Sequence, residues 1–273
     1  MANPRVSIIM ATYRRPQFIA RAVESAAEQT FKDWELIISD DSEDDLTEKA
    51  VLPLAARDPR IRYFHRPQKG SIANSSNFAL GKARGEFVAI LDDDDWWMDR
   101  GKLSLQTSFL EKNPQYIGCG GAFVIVSETG EERRRIMKPE TDAAIRRVAL
   151  YANPMANSTT MFRRKEAGTY DESMPQFADW DFWLRAGTKG KLYNFPKYFL
   201  AYRMWREGAS FAHQKQNADV GYRIVLRYRK AYPGFWRAFV LAWCYRIYAR
   251  FPAFIRRGLN ASLSQLKKLL FSK

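Results

Sequence analysis

The sequence predicts an α/β protein built around a mostly parallel sheet, and three observations support this class. Short apolar runs rich in β-branched residues alternate with segments of helical spacing. Of the 273 residues, 46% are hydrophobic, which is enough for a large core and argues against wholesale disorder. Strands separated by helices of this length form βαβ units, in which parallel strands pair and helices cover both faces of the sheet.

The alternation of strand and helix is clearest in the first part of the chain. The strands predicted there are 6–11, 34–39, 61–65 and 86–91, and the helices are 17–29, 44–57, 73–83 and 99–113. Further strand-like pieces are 116–127, 157–164, 191–195 and 198–204, with helices at 140–152 and 177–186. From 214 onward the pattern is helical and is broken at Pro233 and Pro252, because proline interrupts a helix.

The distribution of charge divides the chain into a body and a tail. Twelve basic residues and no acidic residue follow Asp219, so +12 of the net charge of +14 lies in 220–273. We therefore expect an α/β body over 1–213 and a basic helical tail over 214–273. The two cysteines, Cys119 and Cys244, form no CxxC pattern and fit a reducing compartment.

Four consecutive aspartates, Asp92–Asp95, directly follow the apolar strand "EFVAIL". Such a cluster is a solvated turn, a group paired with the protein's own basic residues, or a cation site. Acidic residues at a helix N-terminus contribute only ~0.3–1 kcal/mol, which does not explain four in a row. The Asp92-x-Asp94 spacing lets two carboxylates project to one side, and oxygen ligands suit Mg²⁺ or Mn²⁺. We favour the cation site.

A second acidic cluster, "SDDSEDD", ends the strand 34–39. Ligands bind beyond the carboxyl ends of strands in open parallel sheets, so both clusters should lie along one edge of the sheet. Asp40 or Asp41 could accept a hydrogen bond from a ligand, while Ser42 or Asp44 caps the following helix. No GxGxxG follows any strand, so a dinucleotide fingerprint is absent.

The segment "FADWDFWLR" places Asp179 and Asp181 on either side of Trp180 in a short predicted helix. One carboxylate could face a cleft as a general base while the other caps the helix or pairs with Arg185. The alternative is an ordinary amphipathic helix whose aromatic residues lie in the core.

Three segments together resemble the family 2 glycosyltransferases of GT-A fold: "VSIIMATYRRPQFIARAVESAAEQTFKDWELIISDDSED", "GEFVAILDDDDWW" and "FADWDFWLR". The resemblance covers about 5–205, in the family's order. It implies a GT-A Rossmann-like domain over 1–213, with a nucleotide-binding half (1–115) and an acceptor-binding half (116–213). It also implies an inverting, metal-dependent hexosyl- or N-acetylhexosaminyltransferase that uses nucleotide-diphosphate sugars, most often UDP-sugars, with Mg²⁺ or Mn²⁺.

The resemblance also implies roles for individual residues. The nucleotide-sugar site would comprise Ala11, Thr12, Tyr13, Arg15, Asp41, Asp92 and Asp93. Within it Arg15 would neutralise phosphate, and Asp41, rather than its neighbour Asp40, would accept a hydrogen bond from uracil. Asp92 or Asp93 would face the ribose or a metal-bound water. Asp94 would be the metal ligand, Asp179 the catalytic base, and Trp180 part of the acceptor side.

The chain departs from the family pattern at two places. Ser76-Asn77 stands where the family often has Arg-Asn, and "AYRMWREGAS" has Trp205 and Glu207 where a histidine often follows Tyr202-Arg203. His213 is the nearest histidine in sequence. The QxxRW motif of processive synthases is absent, which indicates addition of one or a few sugars.

The tail over 235–273 interleaves aromatic residues with arginine and lysine. Its apolar run, 238–245, is far shorter than the ~20 residues of a spanning helix. This pattern is typical of a helix at a membrane interface, next to a glycan or lipid-linked acceptor. Packing on the body and a homo-oligomer interface are the alternatives, and no nucleic-acid motif is present. We expect a cytoplasmic protein, peripheral on the inner face of the cell membrane.

Two other functions compete with a glycosyltransferase that builds cell-surface polysaccharide. A nucleotidyltransferase also uses an acidic metal site on an α/β sheet, but it would normally show a Gly-rich or basic nucleotide loop near the N-terminus, which is not found. A non-catalytic, membrane-associated scaffold with a degenerate transferase fold is disfavoured, because the Asp92-x-Asp94 spacing (the DXD motif) and Asp179 are both present.

Overall fold

A computed structural model describes residues 3–67, 70–205, 214–252 and 256. The strands are β1 (Val6–Thr12), β2 (Trp34–Asp40), β3 (Ile61–His65), β4 (Phe87–Ile90), β5 (Trp96–Trp97), β6 (Tyr116–Val126), β7 (Glu132–Ile136), β8 (Met161–Arg163) and β9 (Lys191–Arg203). The helices are α1 (Pro16–Ala27), α2 (Leu46–Arg57), α3 (Ile72–Lys82), α4 (Lys102–Lys112), α5 (Asp142–Val148), α6 (Arg164–Ala167), α7 (Ala178–Gly187), α8 (Gln214–Arg227) and α9 (Phe235–Tyr248). A 3₁₀ turn spans Asn157–Thr159.

One mixed sheet organises these elements in the order β3-β2-β1-β4-β8-β6-β9-β5, with β7 paired to β6. The pairs among β3, β2, β1 and β4 are parallel, as the alternation of strand and helix predicts. Beyond β4 the sheet is mixed, because β8 runs antiparallel to both β4 and β6 while β6 and β9 are parallel. The predicted α/β class is confirmed, because helices pack on both faces of this sheet.

Several predicted boundaries in the second half are wrong. The segments 191–195 and 198–204 form one strand, β9, whose register against β6 shifts between Phe195 and Tyr198. The run 157–164 is a 3₁₀ turn followed by the short β8, and the helix predicted over 140–152 ends at Val148. Strands β5 and β7 were not predicted, since two residues and an exposed basic run carry little periodic signal.

Glycines in β6 allow aromatic side chains to approach the centre of the sheet. A Cβ on Gly118 would lie 2.8 Å from a ring carbon of Trp183, and a Cβ on Gly121 would collide with the ring of Phe199. The sequence "YIGCGG" therefore gives a strand over which bulky rings can pack directly.

The hydrophobic core lies on both faces of the sheet. One cluster includes Ile8, Leu36 and Phe87 with the buried side of α1, and another packs Val88 and Phe162 against Trp183 of α7. Alternate residues of β4 thus enter opposite layers, as expected for a strand buried on both sides. This packing fixes the carboxyl end of β4, where the aspartates follow.

Helices α8 and α9 pack on α7 and form a third apolar cluster, which includes Trp180, Leu184, Val220 and Ile224. A hydrogen bond also joins the segment between α8 and α9 to α7, since the hydroxyl of Tyr232 donates to the carbonyl of Leu184 at 2.6 Å. The described part of the tail therefore packs partly on the body. Within the described residues, no helix combines the length and apolarity needed to cross a bilayer.

Candidate active site

The four aspartates lie on the loop between β4 and β5, and each has a different environment. Ser158 donates its hydroxyl to Asp92 Oδ2 at 2.6 Å, and the main-chain N–H of Arg203 donates to Asp95 Oδ1 at 2.9 Å. Asp93 and Asp95 are each only 1% exposed. The loop is therefore held by β9 and the 3₁₀ turn as well as by its own strand, which excludes a freely solvated turn.

Arg15, just before α1, pairs with two of these carboxylates. Its Nη1 donates to Asp93 Oδ1 at 2.7 Å and to Asp94 Oδ2 at 3.0 Å. The indole N–H of Trp205 also donates to Asp94 Oδ2, at 3.0 Å, and the Arg15 guanidinium lies over its ring. Arg15 thus neutralises part of the acidic cluster, and its predicted contact with phosphate stays a prediction.

The cluster nevertheless carries more negative charge than its neighbours neutralise. Burial raises the pKa of Asp92 and of Asp93, and the neighbouring Asp94 charge adds to the rise for both. Asp93 Oδ2 and Asp95 Oδ2 are buried without a hydrogen-bond partner. Such an arrangement suits an additional cation. No group of three or more metal-ligating side chains occurs among the described residues, so the remaining ligands of an ion would come from outside the protein.

The second acidic pair divides into a structural and a cavity-facing residue. Asp40 is fully buried, where Tyr63 donates to its Oδ2 at 2.6 Å and the Ser42 N–H donates to its Oδ1 at 2.9 Å. Asp41 lines the cavity next to Ser75, and burial raises its pKa while the Arg66 charge opposes the rise. Asp41 therefore lies at the cavity while Asp40 is held by its own hydrogen bonds, and the contact of Asp41 with a ligand stays a prediction.

The pair Ser76-Asn77 also separates into two roles. Ser76 lines the cavity. Asn77 instead ties α3 to the loop before α7, because its Nδ2 donates to the carbonyl of Tyr170 and to Glu172, and its Oδ1 accepts from the Tyr170 N–H at 2.8 Å. Glu207 and His213 lie outside the described residues.

The two acids of α7 point in different directions. Asp181 is fully buried and accepts hydrogen bonds from Arg227 at 2.7 Å and from the Tyr228 hydroxyl at 2.9 Å. Asp179 faces the cavity, where Asn153 Nδ2 donates to its Oδ2 at 2.8 Å. Phe177, which precedes the helix, adopts a left-handed conformation with φ 58°. The chain thus turns sharply just before the residue predicted to be the base.

Trp180 contributes little open surface to the acceptor side. It is 7% exposed, and its indole N–H donates to the carbonyl of Ala149 at 2.8 Å. Trp180 belongs to the apolar cluster that α7 forms with α8 and α9, and it also lines the cavity. Its role toward an acceptor stays a prediction.

One cavity of about 1040 Å³ brings the predicted site residues together. Its lining includes Ala11, Thr12, Tyr13, Arg15, Asp41, Asp92, Asp93, Asp94, Asp179 and Trp180. They come from the ends of β1, β2 and β4 and from the start of α7. An acidic, partly neutralised sheet edge therefore shares a single cleft with a separate carboxylate.

Polar residues of this cleft that sequence reasoning missed include Asn153, Ser158 and Lys138. Lys138 Nζ donates to the carbonyl of Asn153 at 2.9 Å, and burial lowers its pKa while the Asp179 charge opposes the change. Each residue comes from an irregular segment, so no periodic pattern identified it. The only available signal was the polar run "NSTT", interpreted as part of a strand.

The fold and the cleft define an α/β protein with an acidic pocket at the edge of its sheet, and comparison with known proteins specifies the family. The profile described as Glycosyl transferase family 2 matches residues 7–170, more than half of the chain. The chain belongs to glycosyl transferase family 2.

Two relatives show how far the similarity extends. The putative glycosyltransferase EpsE of Bacillus subtilis (strain 168) is 28% identical over 236 residues, which are 83% of this chain and 84% of EpsE. The GalNAc(5)-diNAcBac-PP-undecaprenol beta-1,3-glucosyltransferase of Campylobacter jejuni is 31% identical over 231 residues, which are 82% of this chain and 72% of that protein.

Two solved structures share the fold at low sequence identity, which confirms the predicted GT-A arrangement. The mannosyltransferase PcManGT of Pyrobaculum calidifontis, in complex with GDP-Man and Mn²⁺, has a TM-score of 0.67 and 17% identity, covering 98% of this chain and 81% of PcManGT. Residues 1–349 of S. aureus TarS, in complex with UDP-GlcNAc, have a TM-score of 0.64 and 19% identity. This match covers 87% of this chain and 72% of that fragment. The chain spans 44% of a longer TarS chain.

Proposed function

We propose that this protein is an inverting, metal-dependent glycosyltransferase. It moves a sugar from a nucleotide-diphosphate sugar, here proposed to be a UDP-sugar, to a hydroxyl of a glycan or lipid-linked acceptor in cell-surface polysaccharide synthesis. The observation that carries this proposal is the single cavity that holds both the Asp92–Asp94 cluster and Asp179. The Asp92–Asp94 cluster would hold a cation for a nucleotide diphosphate, and Asp179 would offer a carboxylate for an acceptor hydroxyl.

The residues at the sheet edge fit a divalent cation. Asp93 Oδ2 is buried without a partner, and burial disfavours the negative charge of the neighbouring carboxylates, so a cation would relieve both penalties. Asp94 would hold the ion, with diphosphate oxygens and water as its other ligands. When bound, the ion would neutralise charge that develops on the leaving diphosphate. The Mn²⁺ complex of PcManGT supports this assignment.

The chain's own groups would carry out the transfer in one displacement. Asp179 would accept the proton of the acceptor hydroxyl as that oxygen attacks the anomeric carbon, while the bond to the diphosphate breaks on the opposite face. Asn153 would hold the carboxylate of Asp179 in place through its 2.8 Å hydrogen bond. Arg15 would share its charge between the aspartates and the departing phosphate, since it already lies beside Asp94.

We propose uracil as the donor base, with Asp41 accepting a hydrogen bond from it. Its carboxylate lies at the end of β2, where Arg66 Nε is 3.8 Å away and Ser75 also faces it. The UDP-GlcNAc complex of TarS supports a uridine donor, whereas the GDP-Man complex of PcManGT shows that this fold also accepts guanine. The named acceptor of the Campylobacter relative is lipid-linked, which supports the acceptor class.

We also propose that α9 rests on an anionic membrane surface at the cytoplasmic side. Trp236 is 75% exposed and lies next to Arg237 on this helix. Aromatic and basic residues together favour the interface between lipid headgroups and water. Co-sedimentation of the full chain with anionic vesicles should fall for Trp236→Asp but not for the control Leu52→Asp on α2, which is 47% exposed. Equal pelleting of all three proteins would reject this surface.

Calorimetry with UDP, with and without Mn²⁺, tests the donor site. We expect binding that requires the metal, and release of UDP from one member of a panel of nucleotide sugars when an acceptor is added. A chain that binds neither UDP nor GDP in the presence of Mn²⁺ or Mg²⁺ would overturn the proposed function.

A further inference from the structure

One lysine is buried in the core without an acid partner. Lys102, the first residue of α4, is fully buried and forms no ion pair within the part of the chain that the structure describes. Lysine is almost never fully buried unless it is paired, because removing its ammonium from water is costly. Burial lowers the pKa of Lys102 to about 7, although nearby Cys119 and Asp99 oppose the change. An apolar side chain of similar length would avoid this cost, so a role for the polar end of Lys102 must lie in its contacts.

The first contact of Lys102 fixes the direction of a side-chain amide. Lys102 Nζ donates to Gln106 Oε1 at 2.7 Å, and Gln106 Nε2 donates to the carbonyl of Thr159 at 2.8 Å. Gln106 and Thr159 are themselves fully buried. A carbonyl can only accept, so the Gln106 amide must present its nitrogen to Thr159 and its oxygen to a donor, which Lys102 supplies. The ammonium and the neutral amine can both donate, so this bond exists on either side of the lysine's pKa.

The second contact of Lys102 leads to the same 3₁₀ turn. Lys102 Nζ lies 4.1 Å from the ring centroid of Trp97, and the indole N–H of Trp97 donates to the carbonyl of Ser158 at 2.7 Å. A cation over an indole face is attracted to it, which favours this orientation of the ring. The two side chains that contact Lys102 therefore hold the carbonyls of Ser158 and Thr159, two consecutive residues of the turn.

This turn carries the hydroxyl that holds the first aspartate of the cluster. Ser158 Oγ donates to Asp92 Oδ2 at 2.6 Å and accepts from the main-chain N–H of Asp92 at 3.2 Å. Ser158 thus binds both the carboxylate and the main chain of Asp92. Hydrogen bonds weaken steeply with distance and angle, so the position of the turn decides how well Ser158 holds Asp92.

We propose that Lys102 is a positioning residue that sets the place of the 3₁₀ turn and, through Ser158, that of Asp92. Lys102 lies outside the cavity lining, so its effect on a ligand is indirect. This inference rests on the proposed transferase function, in which Asp92 faces the ribose or a metal-bound water. The competing explanation is that Lys102 contributes only to the stability of the core.

Calorimetric titration of the full chain with UDP and Mn²⁺ tests this role. Lys102→Met keeps most of the side-chain volume but removes the donor, so it should weaken Mn²⁺-dependent binding of UDP about fivefold. The matched control is Thr107→Val, which also removes a buried polar group from α4. The Thr107 hydroxyl contacts the sulfur of Met161 at 3.7 Å and not the turn, so UDP affinity should stay within about twofold of the native value.

A second control separates positioning from a general loss of stability. Val51→Ala leaves a cavity in the core under α2 and should lower the midpoint of thermal unfolding. Val51 contacts no part of the proposed path, so UDP affinity, measured where every variant is folded, should stay within about twofold. Weakening of UDP binding in Lys102→Met but not in Val51→Ala is a result that loss of stability does not produce.

Combining Lys102→Met with Ser158→Ala tests the path itself. Ser158→Ala removes the hydroxyl that reaches Asp92 and should by itself weaken UDP binding about tenfold. If Lys102 acts through this hydroxyl, adding Lys102→Met to that chain should change UDP affinity by less than about twofold, because the path is already interrupted. A contribution to stability alone would give the same change with and without Ser158.

Three results would overturn the positioning role. These are native UDP affinity in Lys102→Met, weakening no greater than in Val51→Ala, and the full fivefold effect of Lys102→Met in the Ser158→Ala chain. If Lys102→Met does not fold, the double variant Lys102→Met/Gln106→Met removes both members of the pair, leaves no unpaired amide oxygen and should show the same loss. Native binding of UDP that Lys102→Met matches rejects only the role of Lys102. A native chain that does not bind UDP with Mn²⁺ rejects the donor site on which this role depends.

Discussion

Asn153 Nδ2 lies 2.8 Å from Asp179 Oδ2, so an amide from the loop after α5 holds the carboxylate at the start of α7. Burial raises the pKa of Asp179, and the hydrogen bond from Asn153 opposes that rise because it stabilises the charged form. The two residues are 26 positions apart, and only the folded chain brings them together.

The first prediction concerns the pH dependence set by this contact. If Asp179 is the base, activity requires its ionised form and is lost as the pH falls through its pKa. Removing the amide in Asn153→Ala should raise that pKa, so the acid limb of kcat/KM should move upward by about 0.5–1 pH unit. The control Ser76→Ala, on the α3 side of the cavity, should leave the limb in place. An unshifted limb in Asn153→Ala would show that Asn153 does not act through Asp179.

The second prediction compares the two acids of α7. Asp179→Asn should bind UDP almost normally but lose at least ~10²-fold in kcat, since it cannot accept the acceptor's proton. Asp181→Asn should instead lower the free energy of unfolding by about 1.5–3 kcal/mol, because Arg227 and Tyr228 lose a charged partner. Thermal unfolding and turnover measured on both variants separate the roles. Turnover near the native value in Asp179→Asn would remove that residue from catalysis.

The third prediction concerns the metal. Asp94→Ala should abolish the part of UDP binding that depends on Mn²⁺, because it removes the carboxylate proposed as the metal ligand. Asp45→Ala removes the same formal charge from an exposed helix start, where Asp45 pairs with Lys49, and should bind UDP as the native chain does. Calorimetric titrations with and without Mn²⁺ decide between them. If Asp94→Ala retained metal-dependent binding of UDP, a residue other than Asp94 would have to be the metal ligand.

The fourth prediction concerns stability at acid pH. Glu35 of β2 is 2% exposed and accepts hydrogen bonds from Ser7, Arg62 and Arg84. Burial by itself would raise the pKa of Glu35, but these bonds, with those of Arg84 foremost, hold it below its usual 4.5. A carboxylate with a lowered folded pKa stabilises the fold above its unfolded pKa, and this contribution disappears as the pH falls through the folded value.

Glu35→Gln should therefore lower the free energy of unfolding by roughly 2–3 kcal/mol at pH 7. The deficit relative to the native chain should shrink as the pH falls below about 4.5. Urea unfolding at a series of pH values measures it. The control Glu86→Gln removes an exposed partner of Arg5 and should change stability by less than ~1 kcal/mol. A deficit that stays constant with pH would contradict this role of the Glu35 charge.

Much of the first half could be predicted from local pattern. Strands β1, β2 and β4 bury nearly all of their residues, so apolar runs with helical spacers identify these strands and their parallel pairing. The acidic runs after β2 and β4 follow directly along the chain. Their meeting at one edge of the sheet follows from parallel pairing without knowledge of side-chain packing.

The structure of the second half was harder to predict from the sequence, because its elements are short and depend on distant partners. Strand β5 has two residues and exists because Trp96 and Trp97 pair with β9. The 3₁₀ turn that brings Ser158 to Asp92 has no periodic signal in the sequence. The two residues are 66 positions apart, so local pattern could not indicate their contact. Local propensity is weak in such segments, and long-range hydrogen bonds decide their conformation.

The sequence by itself therefore determined which chemical groups are available, because two of its apolar strands, β2 and β4, lead directly into runs of carboxylates. How those carboxylates are used depends on the packing of distant segments. Folding assigns Asp40 and Asp181 to buried bonds, leaves Asp41 and Asp179 facing the cavity, and sets Arg15 between Asp93 and Asp94. The reason is physical, since burial and partner geometry, which determine each carboxylate's charge and reach, arise only from contacts between segments far apart in sequence.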